Sequence, residues 1–296
     1  MTPRNPTILA SRLTCTMVLL LFLGAAVAWA ADPPPAPTLS RGELAGVLAQ
    51  ADRLFADRDG PGQAQQAAQL YEQAVAVDPG NVAVNLRLVR CLIWAGYLSQ
   101  GEAQAAYYRK ASEVAKTCRE LHPSQPGPLY WEGVAYGLMT STEGVFKTLC
   151  LIDPIKENME KVLEMDQDYD KGGAYRVLGR MYTKLPGLLG GDSKLAEKYL
   201  RQAMAIGPRY YLSHLYLSAL YHQTGRTEEA EKLLVQVIHG RPMPGMEPEF
   251  RLWKAEAAKY LNLSRQGLPT DEDGPMSGSA PRGARVRAAA VGDNPS

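Results

Sequence analysis

The stretch that decides the fold is Tyr175-Arg176-Val177-Leu178-Gly179-Arg180-Met181-Tyr182, followed fourteen residues later by Ala196, Leu200 and Ala203. Tyr175, Leu178, Gly179 and Tyr182 recur at steps of three, one and three. That places two large rings, a leucine and a glycine on one side of a helix. Ala196, Leu200 and Ala203 likewise share one face of a second helix, which ends before Pro208. Gly179 and Ala196 are the small residues that would let the two helices lie close together.

The second half of this unit recurs along the chain. Small or apolar residues stand twelve, eight and five positions before Pro79 (Ala67, Tyr71, Ala74), Pro123 (Ala111, Ala115, Cys118), Pro208, and Pro242 (Ala230, Leu234, Val237). Ile155, Met159 and Val162 hold the same offsets before Gln167. Successive markers are 44, 44, 41 and 34 residues apart, and the last step equals the tetratricopeptide period. Tyr175-x-x-Leu178-Gly179-x-x-Tyr182 matches half of that repeat's signature, with Tyr in place of Trp. His214-x-x-Leu217-Ser218-x-x-Tyr221 is its counterpart one repeat on, with Thr227 expected to cap the following helix. The expected fold is therefore all-α: a tetratricopeptide-like solenoid of about five helix pairs over residues 42–242. A capping helix from Glu249 to Leu263 (Phe250, Trp253, Ala257, Tyr260) closes it.

Composition fits this body. The 296 residues carry 32 Lys+Arg against 31 Asp+Glu, 46% hydrophobic residues, 15 Tyr and only 4 Phe. Near-neutral charge lacks the broad basic footprint of a nucleic-acid binder, and the shortage of β-branched runs argues against a sandwich or barrel.

The ends differ from the body. Arg4 and Arg12 precede an uncharged stretch from Cys15 to Val27, then Ala28-Trp29-Ala30 and Pro33 to Pro35. This reads as a cleavable export signal over residues 1–30 and a Pro-rich linker over 31–41, which directs the chain to the periplasm. The apolar run is short for a membrane anchor, and Cys15 stands ahead of it, where a lipid-modified cysteine would follow it. Residues 264–296 hold four arginines and four acids among Gly, Pro and Ser, the composition of a disordered tail. Cys91, Cys118 and Cys150 remain after export. Their spacing suits no zinc site, and it leaves open one disulfide plus a free thiol or three small buried residues.

One turn is expanded by five residues: Lys184-Leu185-Pro186-Gly187-Leu188-Leu189-Gly190-Gly191-Asp192. Gly190 and Gly191 open a helix as a phosphate cradle would, but Asp192 at the cap position would take the free N–H groups and repel an anion. Pro186, Gly187, Gly190, Gly191 and Asp192 thus form a structural loop, with partner contact as the alternative role. Together with Asp168-Tyr169-Asp170-Lys171-Gly172-Gly173 ahead of Ala174 to Gly179, this loop resembles the T components of TRAP transporters, periplasmic tetratricopeptide-like proteins of bacteria. The resemblance covers most of 42–263 and is sharpest over 166–221. It implies an adaptor of a tripartite organic-acid uptake system that associates with a periplasmic solute-binding protein and assembles as a homo-oligomer, a trimer. Relatives often carry a lipid-anchoring cysteine after the signal, and this sequence shows none.

For binding, Arg176, Arg180 and Lys184 form one basic stripe beside Tyr175 and Tyr182. Arg90, Tyr136 and His222 from neighbouring pairs are expected to face the same concave groove, which would take an acidic partner segment or a carboxylate ligand. The competing reading neutralises the stripe internally through Glu132, Asp170 or Asp192. His122, His214, His222 and His239 make no HxxxH pair, no GxSxG elbow occurs, and no metal or cofactor site is indicated. The sequence reads as non-enzymatic. Beyond the adaptor, a generic envelope scaffold or a carrier of small apolar or organic-acid ligands would fit a helical arc.

Overall fold

The computed structural model describes residues 40–267; the expected signal peptide, nearly all of the linker and most of the tail lie outside them. Five helix hairpins follow one another: α1 (Arg41–Ala56) with α2 (Gln63–Val77), α3 (Val82–Leu98) with α4 (Gly101–Leu121), and α5 (Pro126–Met139) with α6 (Val145–Met165). Then come α7 (Gly173–Lys184) with α8 (Ser193–Ile206), α9 (Leu212–Gln223) with α10 (Thr227–His239), and a final helix α11 (Glu247–Arg265). Each helix packs on the next, and the first helices of successive hairpins also touch (α3 on α5, α5 on α7, α7 on α9). That is the contact pattern of a solenoid.

Local chemistry sets the helix ends. Ser40 and Glu43 form a reciprocal capping box at α1, Asn81 caps α3, and Pro126 opens α5 at a position that needs no N–H donor. Asp192 caps α8 by accepting from the Lys194 and Leu195 amides, as expected. Thr227 does not cap α10. The glycine turn at Gly225 (φ 75°) closes early, so Thr227 is already the first helical residue. Arg226 stands at the cap position and pairs its guanidinium with Glu229 and Glu197 instead.

All fifteen residues at the twelve, eight and five offsets are buried. They form one buried face on the second helix of every pair. A Cβ on Gly179 would come within 2.6 Å of the Leu200 side chain and 3.2 Å of its backbone nitrogen, so the close approach of α7 and α8 depends on glycine there. The capping helix starts two residues before the expected Glu249 and runs two past Leu263, to Arg265. Cys91 and Cys118 are free and buried, whereas Cys150 is free but exposed on α6, so only two of the three are core residues.

The last helix does more than cover hairpin five. Trp253, Phe250 and Ala257 pack with Tyr210, Tyr211, Leu234 and Val237, but the start of α11 also returns to the first two hairpins. Buried Arg58, just after α1, donates through Nε to Glu249 Oε1 at 2.9 Å, and through Nη2 to the Gly245 carbonyl at 2.8 Å. Trp94 Nε1 of α3 donates to the same carboxylate at 3.2 Å, and Arg251 forks onto Asp59 at 2.7 and 2.8 Å. The arc therefore closes on itself through a side-chain seam between residues 191 positions apart.

Histidine burial gives the fold an acid sensitivity. His214 on α9 lies against Tyr211, and burial lowers its pKa to about 4. Unfolding returns it to about 6.5, so the unfolded chain binds the proton more tightly. This contribution is complete above pH 6.5 and is lost as the pH falls toward 4, about 2 kcal/mol of it by pH 5. Urea midpoints at pH 7.5 and pH 5 should show that drop, and a His214→Phe variant should show it much reduced.

Candidate functional site

The expected basic stripe divides on folding. Asp170, Lys171 and Gly172 are three consecutive residues with positive φ (48°, 57° and 74°). A Cβ on Gly172 would approach the Ala203 Cα to 3.1 Å, so this turn lies directly against α8. The left-handed turn aims two carbonyl oxygens inward, and Arg176, 2% exposed, donates to them: Nη2 to Asp170 O at 3.1 Å and Nη1 to Lys171 O at 3.3 Å. Nη2 also meets the Asp170 carboxylate at 2.7 Å and the Tyr130 hydroxyl at 3.2 Å, while that hydroxyl donates to Asp170 at 2.7 Å. The guanidinium lies over the Tyr210 ring, 3.7 Å from its centre. Burial opposes the charge on Arg176, but Tyr130, Tyr210 and Asp170 raise its pKa above the ordinary value. Arg176 is therefore not a groove residue. It ties hairpins three, four and five together, and the Asp168–Gly173 motif is the loop that holds it.

The other expected groove residues also separate. The Arg90 guanidinium lies near the rings of Phe55 and Trp131, at 5.1 and 5.7 Å. Tyr136 donates to Glu132 at 2.9 Å, and buried Glu132 also receives Arg119 at 2.7 Å and Asn158 at 3.1 Å. Burial and that carboxylate push the Tyr136 hydroxyl up to about 12. Tyr175 and Tyr182 face their own hairpin partner, both packing on Tyr199 of α8 at 5.9 and 5.8 Å. His222 is half-buried; burial lowers its pKa and Glu231 of α10 is the charge that acts on it.

Arg180 and Lys184 are brought together. Both line a cavity of about 490 Å³ between α5, α6 and α7, closed by the 185–189 loop and Tyr216 of α9. Arg180 lies over the Tyr216 ring at 4.8 Å. Apolar side chains such as Val134, Leu138, Ile152 and Met181 form most of the wall. The hydroxyls of Thr140, Ser141 and Thr148 donate to backbone carbonyls. Glu143, also in the wall, is held below the usual carboxylate range by Arg109 and by Lys147. Sequence reasoning missed this cavity, because its walls come from three helices whose apolar residues read as ordinary core.

The expanded turn is the rim. Leu189 and Gly191 both donate to the Pro186 carbonyl, at 2.8 and 3.0 Å, and Gly190 donates to that of Gly187. A Cβ at Gly191 would sit 1.8 Å from the Leu185 oxygen. Glycine is thus required at 191, and Gly190 adopts φ 91°. The result is a tightly turned loop that leaves Leu188 fully exposed and Leu189 about half exposed. Among the described residues, no cluster of His, Cys, Asp and Glu could hold a metal, and no helix is long and apolar enough to cross a membrane.

Fold and repeat together define a tetratricopeptide-type helical scaffold. A profile of the TRAP transporter T-component matches residues 89–260, and the chain belongs to that family. A tetratricopeptide-repeat profile matches residues 60–109. Among solved structures, a thermophilic tetratricopeptide protein of Thermus thermophilus is similar at TM-score 0.56 and 20% identity, over 73% of this chain and 99% of that one. MamA protein aligns at TM-score 0.42 and 17% identity, over 73% of this chain and 94% of its own. No curated protein matches.

Proposed function

We propose that this protein is an exported, non-enzymatic adaptor of a tripartite organic-acid uptake system, acting in the periplasm by docking the solute-binding subunit. Family membership supports the system, and the 185–192 loop supports the docking face. Leu188 is fully exposed on a turn whose backbone is closed by its own hydrogen bonds. Leu189 and Leu149, both exposed, stand with Pro186 on the wall of the adjoining cavity. Clustered exposed leucines of this kind mark interaction surfaces.

Co-purification of the solute-binding subunit with the tagged chain tests the reading. Capture by the natural sequence and at least a tenfold loss with Leu188→Asp, at unchanged helical content, are expected. Absence of capture by the natural sequence refutes the adaptor. Undiminished capture by Leu188→Asp moves the docking face elsewhere.

A further inference from the structure

Two residues that weaken a helix interior flank the cavity between α5, α6 and α7. Gly137 lies inside α5 and lines the hollow, and a Cβ there would meet nothing within 4 Å. Gly133, one turn earlier, is different, because Met159 occupies the space its Cβ would take. Pro154 lies inside α6, between Ile152 and Ile155 of the cavity wall. A proline there supplies no N–H to the carbonyl four residues back, at Cys150, and its ring crowds that turn, which bends a helix. Glycine and proline both disfavour the helix they sit in, and at 137 no neighbour packs into the room gained. The volume of about 490 Å³ falls within the ~300–1,000 Å³ typical of small-molecule pockets.

The lining decides what the hollow can take. Its depth is apolar, with Ile155 only 4% exposed, and the charged side chains of its wall are engaged. Arg180 lies over Tyr216, and Arg180 and Lys184 both have partners within the chain. Glu143 holds Arg109 at 2.9 Å and Lys147 at 3.2 Å. A charged guest would give up its water here and meet no counter-charge, whereas a hydrocarbon chain gains by leaving water.

We infer that this cavity binds a neutral aliphatic molecule, its chain lying along Gly137 and Val177 and reaching down to Ile155. Leu149, Pro186 and Leu189 belong to both this cavity and the proposed docking face, but Leu188 is not part of the wall. The inference does not rest on the adaptor reading, and variants at Leu188 and Gly137 separate the two.

Calorimetric titration of the whole chain with 1-octanol, no partner being present, tests this. Saturable binding of one octanol per chain is expected, with octanoate, equal in length but charged, at least tenfold weaker. Gly137→Leu, which fills the open space with a helix-favouring residue, should abolish octanol binding at unchanged circular dichroism. Val177→Phe, from the facing helix, should do the same and serves if Gly137→Leu disturbs folding. Leu188→Asp should bind octanol as the natural sequence does while losing the solute-binding subunit. Lack of saturable octanol binding overturns the site, as does undiminished binding by a folded Gly137→Leu or Val177→Phe chain. Loss of octanol binding by Leu188→Asp would place the probe on the docking tip and overturn the cavity as its site. Octanoate binding as tightly as octanol overturns the neutrality of the guest.

Discussion

Replacing Arg176 with alanine is expected to lower the unfolding free energy by about 3–5 kcal/mol, the cost of removing one member of a buried ion pair. The Asp170 carboxylate is 24% exposed, so water recovers part of its loss, and the lower end of that range applies. The backbone adds to the effect. Asp170 and Lys171 adopt positive φ, which non-glycine residues avoid, and the donors of Arg176 are what offset it. Tyr130 and Tyr210 lose the group between them, which loosens hairpin three from hairpin five. Urea denaturation measures the loss, and a cycle with Asp170→Asn separates the ion pair from the carbonyl contacts. A loss below about 1 kcal/mol would show that the clamp is not what joins these hairpins.

Breaking the seam should have a comparable effect and a different signature. Arg58 is 2% exposed and Glu249 8%. With Arg58→Ala the Glu249 carboxylate loses its buried cation and keeps the Trp94 indole of α3, so a cost of about 3–5 kcal/mol is expected. The neighbouring Arg251–Asp59 pair, with Arg251 more than half exposed, adds well under 1 kcal/mol and cannot substitute for it. Helix α11 remains attached to hairpin five through Trp253 and Phe250, so the expected change is an opened arc with its helices intact. Small-angle scattering should show a larger radius of gyration at nearly unchanged circular dichroism. A variant with unaltered dimensions and stability would mean that packing alone closes the arc.

Helix faces and turns were legible in the sequence because both are local. The offsets of twelve, eight and five picked out fifteen buried positions, since a helix repeats its face every three or four residues whatever surrounds it. Asp192 capped its helix as read, because its acceptor and the amides it serves lie within three residues. Thr227 failed by one residue, because a glycine turn decided where the helix began.

Partners and hollows were decided only by tertiary structure. Arg176, Arg180 and Lys184 share one helical stripe, yet one is a buried clamp and two line a cavity, because Tyr130, Tyr210 and Tyr216 arrive from other hairpins. Gly133 and Gly137 are alike in sequence and differ only in whether Met159 of another helix fills the space beside them. Arg58 meets Glu249 across 191 residues of chain. Periodicity reports which way a side chain points, but not what comes to meet it, and both charge and empty volume take their meaning from that second element.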